Sequence, residues 1–231
     1  MKRMVHVVML ALVLCGFIAP QSASALQLRL NAAGGATEVD LADNGVGDDS
    51  ALTGVIVFND PILNWVVNVT TGLSYPTLGS QTQPHMDLNS VNVSNGGGGT
   101  LVISLSEQGF TTAPGISFLA SIGGTANIPA GTVTYRTYWD PGNNLFAQTN
   151  LLTNSGVMGP GAFSNTRGGV GGGVGPFSVT QVVTITHTSG NGRSSSFDAE
   201  ISTVPEPASM LLLGSGLLGL GLWGRKMRKS V

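Results

Sequence analysis

Phe177-Ser178-Val179-Thr180-Gln181-Val182-Val183-Thr184-Ile185-Thr186-His187-Thr188 runs into Ser189-Gly190-Asn191-Gly192 and then Ser196-Phe197-Asp198-Ala199-Glu200-Ile201. The first run is rich in β-branched residues that alternate with polar ones, the four-residue turn is built from chain reversers, and alternation resumes after it. That pattern reads as two strands of a hairpin. Its alternation places His187 on the opposite side from Thr184, Thr186 and Thr188.

Upstream, the same grammar repeats. Leu26, Leu28 and Leu30 alternate with Gln27 and Arg29, and 37–41 suits a second short strand. Val55–Phe58 and Ile62–Thr70 read as a hairpin around Asn59-Asp60-Pro61. Met86–Val93 alternates, and Gly96–Gly99 leads into Thr100–Leu105. Phe118-Leu119 opens an apolar run that Gly123-Gly124 closes, and Thr132–Trp139 is stopped by Asp140-Pro141-Gly142. Asn143–Gly175 is the weakest stretch: Leu145-Phe146 and Leu151-Leu152 suit a small strand or helix, and the glycines from Gly168 to Gly175 suit a flexible loop equally well. No segment holds a 3.6-residue apolar period for three turns. About ten such strands predict an all-β fold, a single β-sandwich or jelly-roll-like ectodomain over residues 26–203.

Charge narrows the function. Residues 26–203 hold four arginines against eleven carboxylates, a net charge of −7, and no lysine. A body without a basic face is a poor match for nucleic acid or anionic lipid. Charged residues are 10% of the chain, so Ser, Thr, Asn and Gly must form much of the surface. Six of the ten basic residues lie in the two ends instead.

The N-terminal end has Lys2 and Arg3, an apolar Val5–Ala19 run and Ala23-Ser24-Ala25. This is a signal peptide, residues 1–25, with signal peptidase cutting beyond Ala23 and Ala25. Cys15 leaves with it, so the mature chain has neither disulfide nor thiol chemistry. At the other end, Val204-Pro205-Glu206-Pro207 precedes seventeen uncharged residues, 208–224. As a helix these reach about 25 Å, the short end of a membrane span. Arg225, Lys226, Arg228 and Lys229 then act as a cytoplasmic stop.

This three-part end, 204–231, resembles the PEP-CTERM sorting signal of Gram-negative bacteria, a tail also called the ice-binding protein C-terminal domain. The resemblance implies an exosortase that recognises the motif, removes the tail and sends the protein from the inner membrane to the cell surface, outer membrane or extracellular matrix. It also implies co-occurrence with exopolysaccharide, a partner in biofilm or floc. Thr180–Ile201, Gly54–Thr71 and Met86–Val93 resemble a recurring ectodomain type among exosortase substrates.

Candidate chemistry in the body is sparse. Asp40, Asp43, Asp48 and Asp49, with Asn44, put several oxygens within ten residues; they read either as a solvated acidic turn or as a weak calcium site, without EF-hand spacing. Calcium is thus the one cofactor in view. Tyr138 and Trp139, beside Asp140, suit a stacking platform for sugar, or else a core with few aromatics. Asp198 and Glu200 share a strand face about 7 Å apart, which suits a hydrolase pair, as does Asp140. His85 and His187 have no metal-ligand spacing. Thr184, Thr186 and Thr188, with Thr132 and Thr134, form the rows expected of any exposed strand face, without the repeat that ice binding requires. The expected function is therefore a non-enzymatic surface or matrix protein, with a carbohydrate-binding module as the alternative and a secreted hydrolase behind it.

Overall fold

The computed structural model describes residues 26–32, 39–127, 131–190, 192–204 and 214–218. Its strands are β1 (Gln27–Ala32), β2 (Val39–Ala42), β3 (Val55–Phe58), β4 (Pro61–Ile62), β5 (Trp65–Leu73), β6 (His85–Asn95), β7 (Gly99–Phe110), β8 (Ile116–Ala126), β9 (Thr132–Asp140), β10 (Asn150–Met158), β11 (Gly161–Gly171), β12 (Phe177–His187) and β13 (Arg193–Thr203). One sheet has the order β10-β9-β12-β7-β1-β2, the other β11-β8-β13-β6-β5-β3 with β4 on β5. All ladders are antiparallel, so the nearly all-β chain is a β-sandwich. Strands β6 to β13 fall four and four into the two sheets, the strand order of a jelly roll, and the earlier strands widen each sheet.

Alternation builds the core. Leu28 and Leu30, Leu101, Ile103 and Leu105, Val133 and Tyr135, and Val179, Val183 and Ile185 turn inward from the first sheet. Val67, Met86, Leu88, Val91, Val93, Phe118, Ala120, Ile122, Phe197, Ala199 and Ile201 meet them from the second. Each large aliphatic group buried this way contributes about 1.5–3 kcal/mol. Strand β12 is buried on its outer side too, because residues 141–149 fold across it. Ser178 Oγ donates to the Asn144 carbonyl (2.6 Å), Phe146 N–H to Ser106 Oγ (3.0 Å), and Gly109 N–H to Asn143 Oδ1 (2.7 Å).

Several sequence expectations are corrected. The opening stretch is no hairpin: β12 pairs with β7 and β9, while β13 pairs with β6 and β8 in the other sheet. The turn between them is a corner joining the sheets, which alternation and turn residues alone do not distinguish from a hairpin. The tight reversal after β3 lies at Leu63-Asn64, between β4 and β5, with Leu63 at φ 53°, and not at Asn59-Asp60-Pro61. Gly123-Gly124 does not end β8, and most of 143–175 is two long strands, β10 and β11. Glycine there answers close packing: a Cβ on Gly124 would strike the Ser196 carbonyl and Phe197, and one on Gly169 the Leu152 carbonyl.

The tail expectations lie largely outside the described residues. Within 208–224 only residues 214–218 are described, and they are helical. Among the described residues no helix is long and apolar enough to cross a membrane.

Candidate functional site

The outer face of the second sheet carries the richest cluster of chemistry-bearing side chains. Registers set it in rows across four strands. Asp87 of β6 stands beside Glu200 of β13, which stands beside Ser121 of β8, which stands beside Thr166 of β11. One step along, Asp198 stands beside Gly123, and Gly123 beside Ser164. With Asn89 these line an open groove of about 510 Å³. A second hollow of about 240 Å³, lined by Asn68, Asn92, Ser94, Thr125, Ser194 and Ser196 among others, continues the polar track along β6, β8 and β13 and onto β5.

A β-bulge shapes the groove. Phe197 pairs with Val91 but Ala199 with Leu88, so Asn89 and Ser90 together oppose Asp198. Ser90 takes φ 52°, and its N–H donates to Asp198 Oδ1 at 2.5 Å. The bulge also resets β6: Met86 and Leu88 point inward before it, Val91 and Val93 after it, a one-residue slip visible in Met86–Val93 itself as a step of three in place of two. His85 Nε2 lies 2.7 Å from Glu200 Oε1. Burial pushes the Asp87 carboxyl up, and the neighbouring Glu200 and Asp198 add to this against the lowering by Asn89 and His85. Beneath the groove, Tyr135 crosses the core from β9, its hydroxyl 3.0 Å from the Glu200 carbonyl; burial, then Asp87 and Glu200, raise this phenol well above its ordinary value.

The sequence singled out Asp198 and Glu200 and placed them on one face; the structure agrees and adds Asp87 and His85 from β6. Asp87 was legible as a polar position in an alternating strand. Nothing local announced that Ser121, Ser164 and Thr166 would lie beside it.

The other predicted residues lie elsewhere. Asp40 pairs with Arg29 at 2.7 Å, and the Arg29 guanidinium lies 3.9 Å from the centre of the Phe146 ring. Asp48 accepts the N–H groups of Asn44, Ser50 and Val57, each at 2.9 Å, and Asp43 Oδ2 that of Gly54 at 2.9 Å. Asp49 N–H donates to the Val57 carbonyl at 3.0 Å. The Asp43 and Asp48 carboxylates are thus turned to backbone amides, and the Asp48 carboxylate and Asp49 N–H cover the outer edge of β3 at Val57. Among the described residues no three His, Cys, Asp or Glu groups gather as metal ligands. Tyr138 is buried, and Trp139 is half-buried with its ring edge-on to Phe177 at 6.1 Å, so neither stands as an open platform.

Asp140 is buried and pins the segment after β9. It accepts the Asn144 N–H (3.0 Å), the Asn144 side-chain amide (2.8 Å) and the Thr149 hydroxyl (2.7 Å). Burial alone would raise this carboxyl, but its donors outweigh that and hold it below the ordinary range. His187 stacks on Trp65 with ring centres 4.9 Å apart and meets Ser195 Oγ at 2.8 Å; burial, then Arg193, push it toward the neutral form.

Strand β13 leads from the groove to the tail. Thr203 N–H donates to the Pro84 carbonyl (3.0 Å) and Val204 N–H to that of Ser117 (2.8 Å). Pro205, Glu206, Pro207, Arg225, Lys226, Arg228, Lys229, Ala23 and Ala25 lie outside the described residues. The family model of the PEP-CTERM protein-sorting motif matches residues 203–226. The chain carries a PEP-CTERM sorting domain. The PEP-CTERM motif is the recognised tag of exosortase substrates, which makes this an exported protein, sorted through the membrane with exosortase as its sorting partner.

No curated protein matches this chain in sequence. Similar solved structures include the adhesin domain of Epf from Streptococcus pyogenes, at 10% identity and TM-score 0.37, covering 77% of this chain and 56% of that one. TmCBM61 in complex with beta-1,4-galactotriose matches at 11% identity and TM-score 0.30, covering 62% and 88%. The mannan-recognising carbohydrate-binding module TmCBM27 matches at 10% identity and TM-score 0.30, covering 64% and 86%. Likeness at this level says nothing about ligand or activity.

Proposed function

We propose that this is a non-enzymatic component of the cell surface or extracellular matrix that contacts glycan through the groove of the second sheet. The observation that carries the reading is the row structure of that groove. Carboxylates of Asp87, Asp198 and Glu200 face a strip of hydroxyls from Ser121, Ser164 and Thr166 on an exported chain. Carboxylates accept hydrogen bonds from sugar hydroxyls or amino groups, and the serines and threonines both donate and accept. The negative charge disfavours polyuronates, so neutral or amino-sugar polymers are the ligands of choice. Binding is favoured over hydrolysis because Asp198 already holds Ser90 N–H and Glu200 is paired with His85. In this reading signal peptidase and exosortase process the two ends, and polysaccharide is the partner outside the cell.

The test is retention of the full chain, in detergent, on neutral, amino-sugar and polyuronate polysaccharides. Saturable binding to a polymer of the first two classes should weaken about tenfold or more in Asp87→Asn/Asp198→Asn, which equals about 1.4 kcal/mol or more. Unchanged affinity in that variant removes the groove from the function. New reducing ends released by the wild type, and not by Asp198→Asn, would make it a hydrolase instead.

A further inference from the structure

Both ends of the described body leave from one end of the sandwich. β1 begins with Gln27 opposite Ser106, near the end of β7 at Phe110. β13 finishes with Thr203 opposite Phe118, near the start of β8 at Ile116. Residues 111–115 join those two points, so Leu26 and Val204 emerge on the same side of the molecule. The connections 43–54, 74–84, 111–115, 141–149 and 172–176 share that side. Four of them hold no charged residue, and the fifth holds Asp43, Asp48 and Asp49 but no basic one.

Exposed apolar side chains gather at this end. Val46 is fully exposed (100%) and Val174 nearly so (95%), both in connections at this end; Leu52, Leu151, Val170 and Val204, in or next to the same connections, are exposed as well. At the far end stand Leu63, Val66 and Val157. The covalent chain limits how far this apolar end can stand from the membrane. Val204 is still bonded to the sheet, and the apolar span read from the sequence begins at residue 208. Four extended residues reach at most about 14 Å.

We infer that the end bearing both termini is a membrane-seating surface, which lies against the zwitterionic headgroups and upper acyl boundary of the bilayer while the tail is in place. The inference rests on the membrane-sorted reading of the tail and does not depend on the glycan groove. Valine and leucine at this end enter the boundary, and uncharged Ser, Thr, Asn and Gln around them meet headgroups. The absence of lysine and arginine from these loops favours zwitterionic over anionic lipid.

The body has no cysteine, so single thiols can be placed cleanly. The full chain with Cys15→Ser, carrying Val46→Cys, Val174→Cys, Leu63→Cys or Val157→Cys, would be labelled with a fluorophore. It would then be reconstituted in phosphatidylcholine–phosphatidylethanolamine vesicles containing a nitroxide lipid. All four sites are exposed, so the labels leave the core alone. Quenching at 46 and 174 is expected to exceed that at 63 and 157 by about threefold or more. Chains that float with the vesicles but quench equally at all four sites overturn the seating surface and leave the anchor intact. Chains that fail to float overturn the anchor, and the seating surface with it.

Discussion

Asp140 shows how one carboxylate fixes a segment. Buried, it gathers two donors from Asn144 and one from Thr149, which folds residues 141–149 over β12. Asp140→Ala leaves these donors facing a void and should cost about 3 kcal/mol in urea unfolding. Because the folded value is depressed, the stabilisation is full above the ordinary aspartate value of 3.8 and is lost as pH falls through the folded value. The variant should lack that acid slope. Asp87 behaves the other way. Its folded value is raised, so its favourable contribution exists only at low pH and disappears as pH rises through the folded value. Asp87→Asn should therefore raise the melting temperature at pH 7, and the gain should vanish below the ordinary value of 3.8. A lower melting temperature at pH 7 would show that ionised Asp87 supports the sheet.

At the scale of strands, glycine is the residue most easily misread. β11 holds Gly168, Gly169 and Gly171 and still pairs with β8 along its whole length. At Gly169 the β10 backbone comes so near that no Cβ fits, and at Gly171 the Leu152 side chain and the Trp139 indole crowd that place. Gly169→Val should push β10 and β11 apart, lowering stability by about 1–3 kcal/mol with amide exchange rising first in those two strands. Alternation made β1, β6, β7, β9, β12 and β13 legible, and with them the all-β class and the common face of Asp198 and Glu200. Pairing was not legible. A strand's own residues say which side is buried, while its neighbours are chosen by the packing of the two sheets. The Ser189–Gly192 turn therefore passed for a hairpin. The groove was half-read for the same reason: β13 announced its carboxylates, and only the fold brought β6, β8 and β11 beside them.

At the scale of the molecule, the two processing signals expected from the sequence attach at one end, and the polar groove runs along a flank. A body seated on lipid by its terminal end still presents that flank to polymer in solution, so tethering and glycan contact can coexist. Strand β13 joins the two, carrying Asp198 and Glu200 in its middle and Val204 at its end. It lies inside the sheet, between β8 and β6, with both ladders antiparallel. Tension applied at Val204 acts along the strand, whose hydrogen bonds lie across it. Both rows must then slide together, in shear, whereas a strand pulled sideways from an edge opens one bond at a time. Single-molecule pulling between Val204 and the middle of β6 should accordingly require more force than pulling β3 away from β5, since forced rupture follows the unfolding barrier. A protein held by its tail while fluid drags on the polymer around it would bear load along its strongest axis.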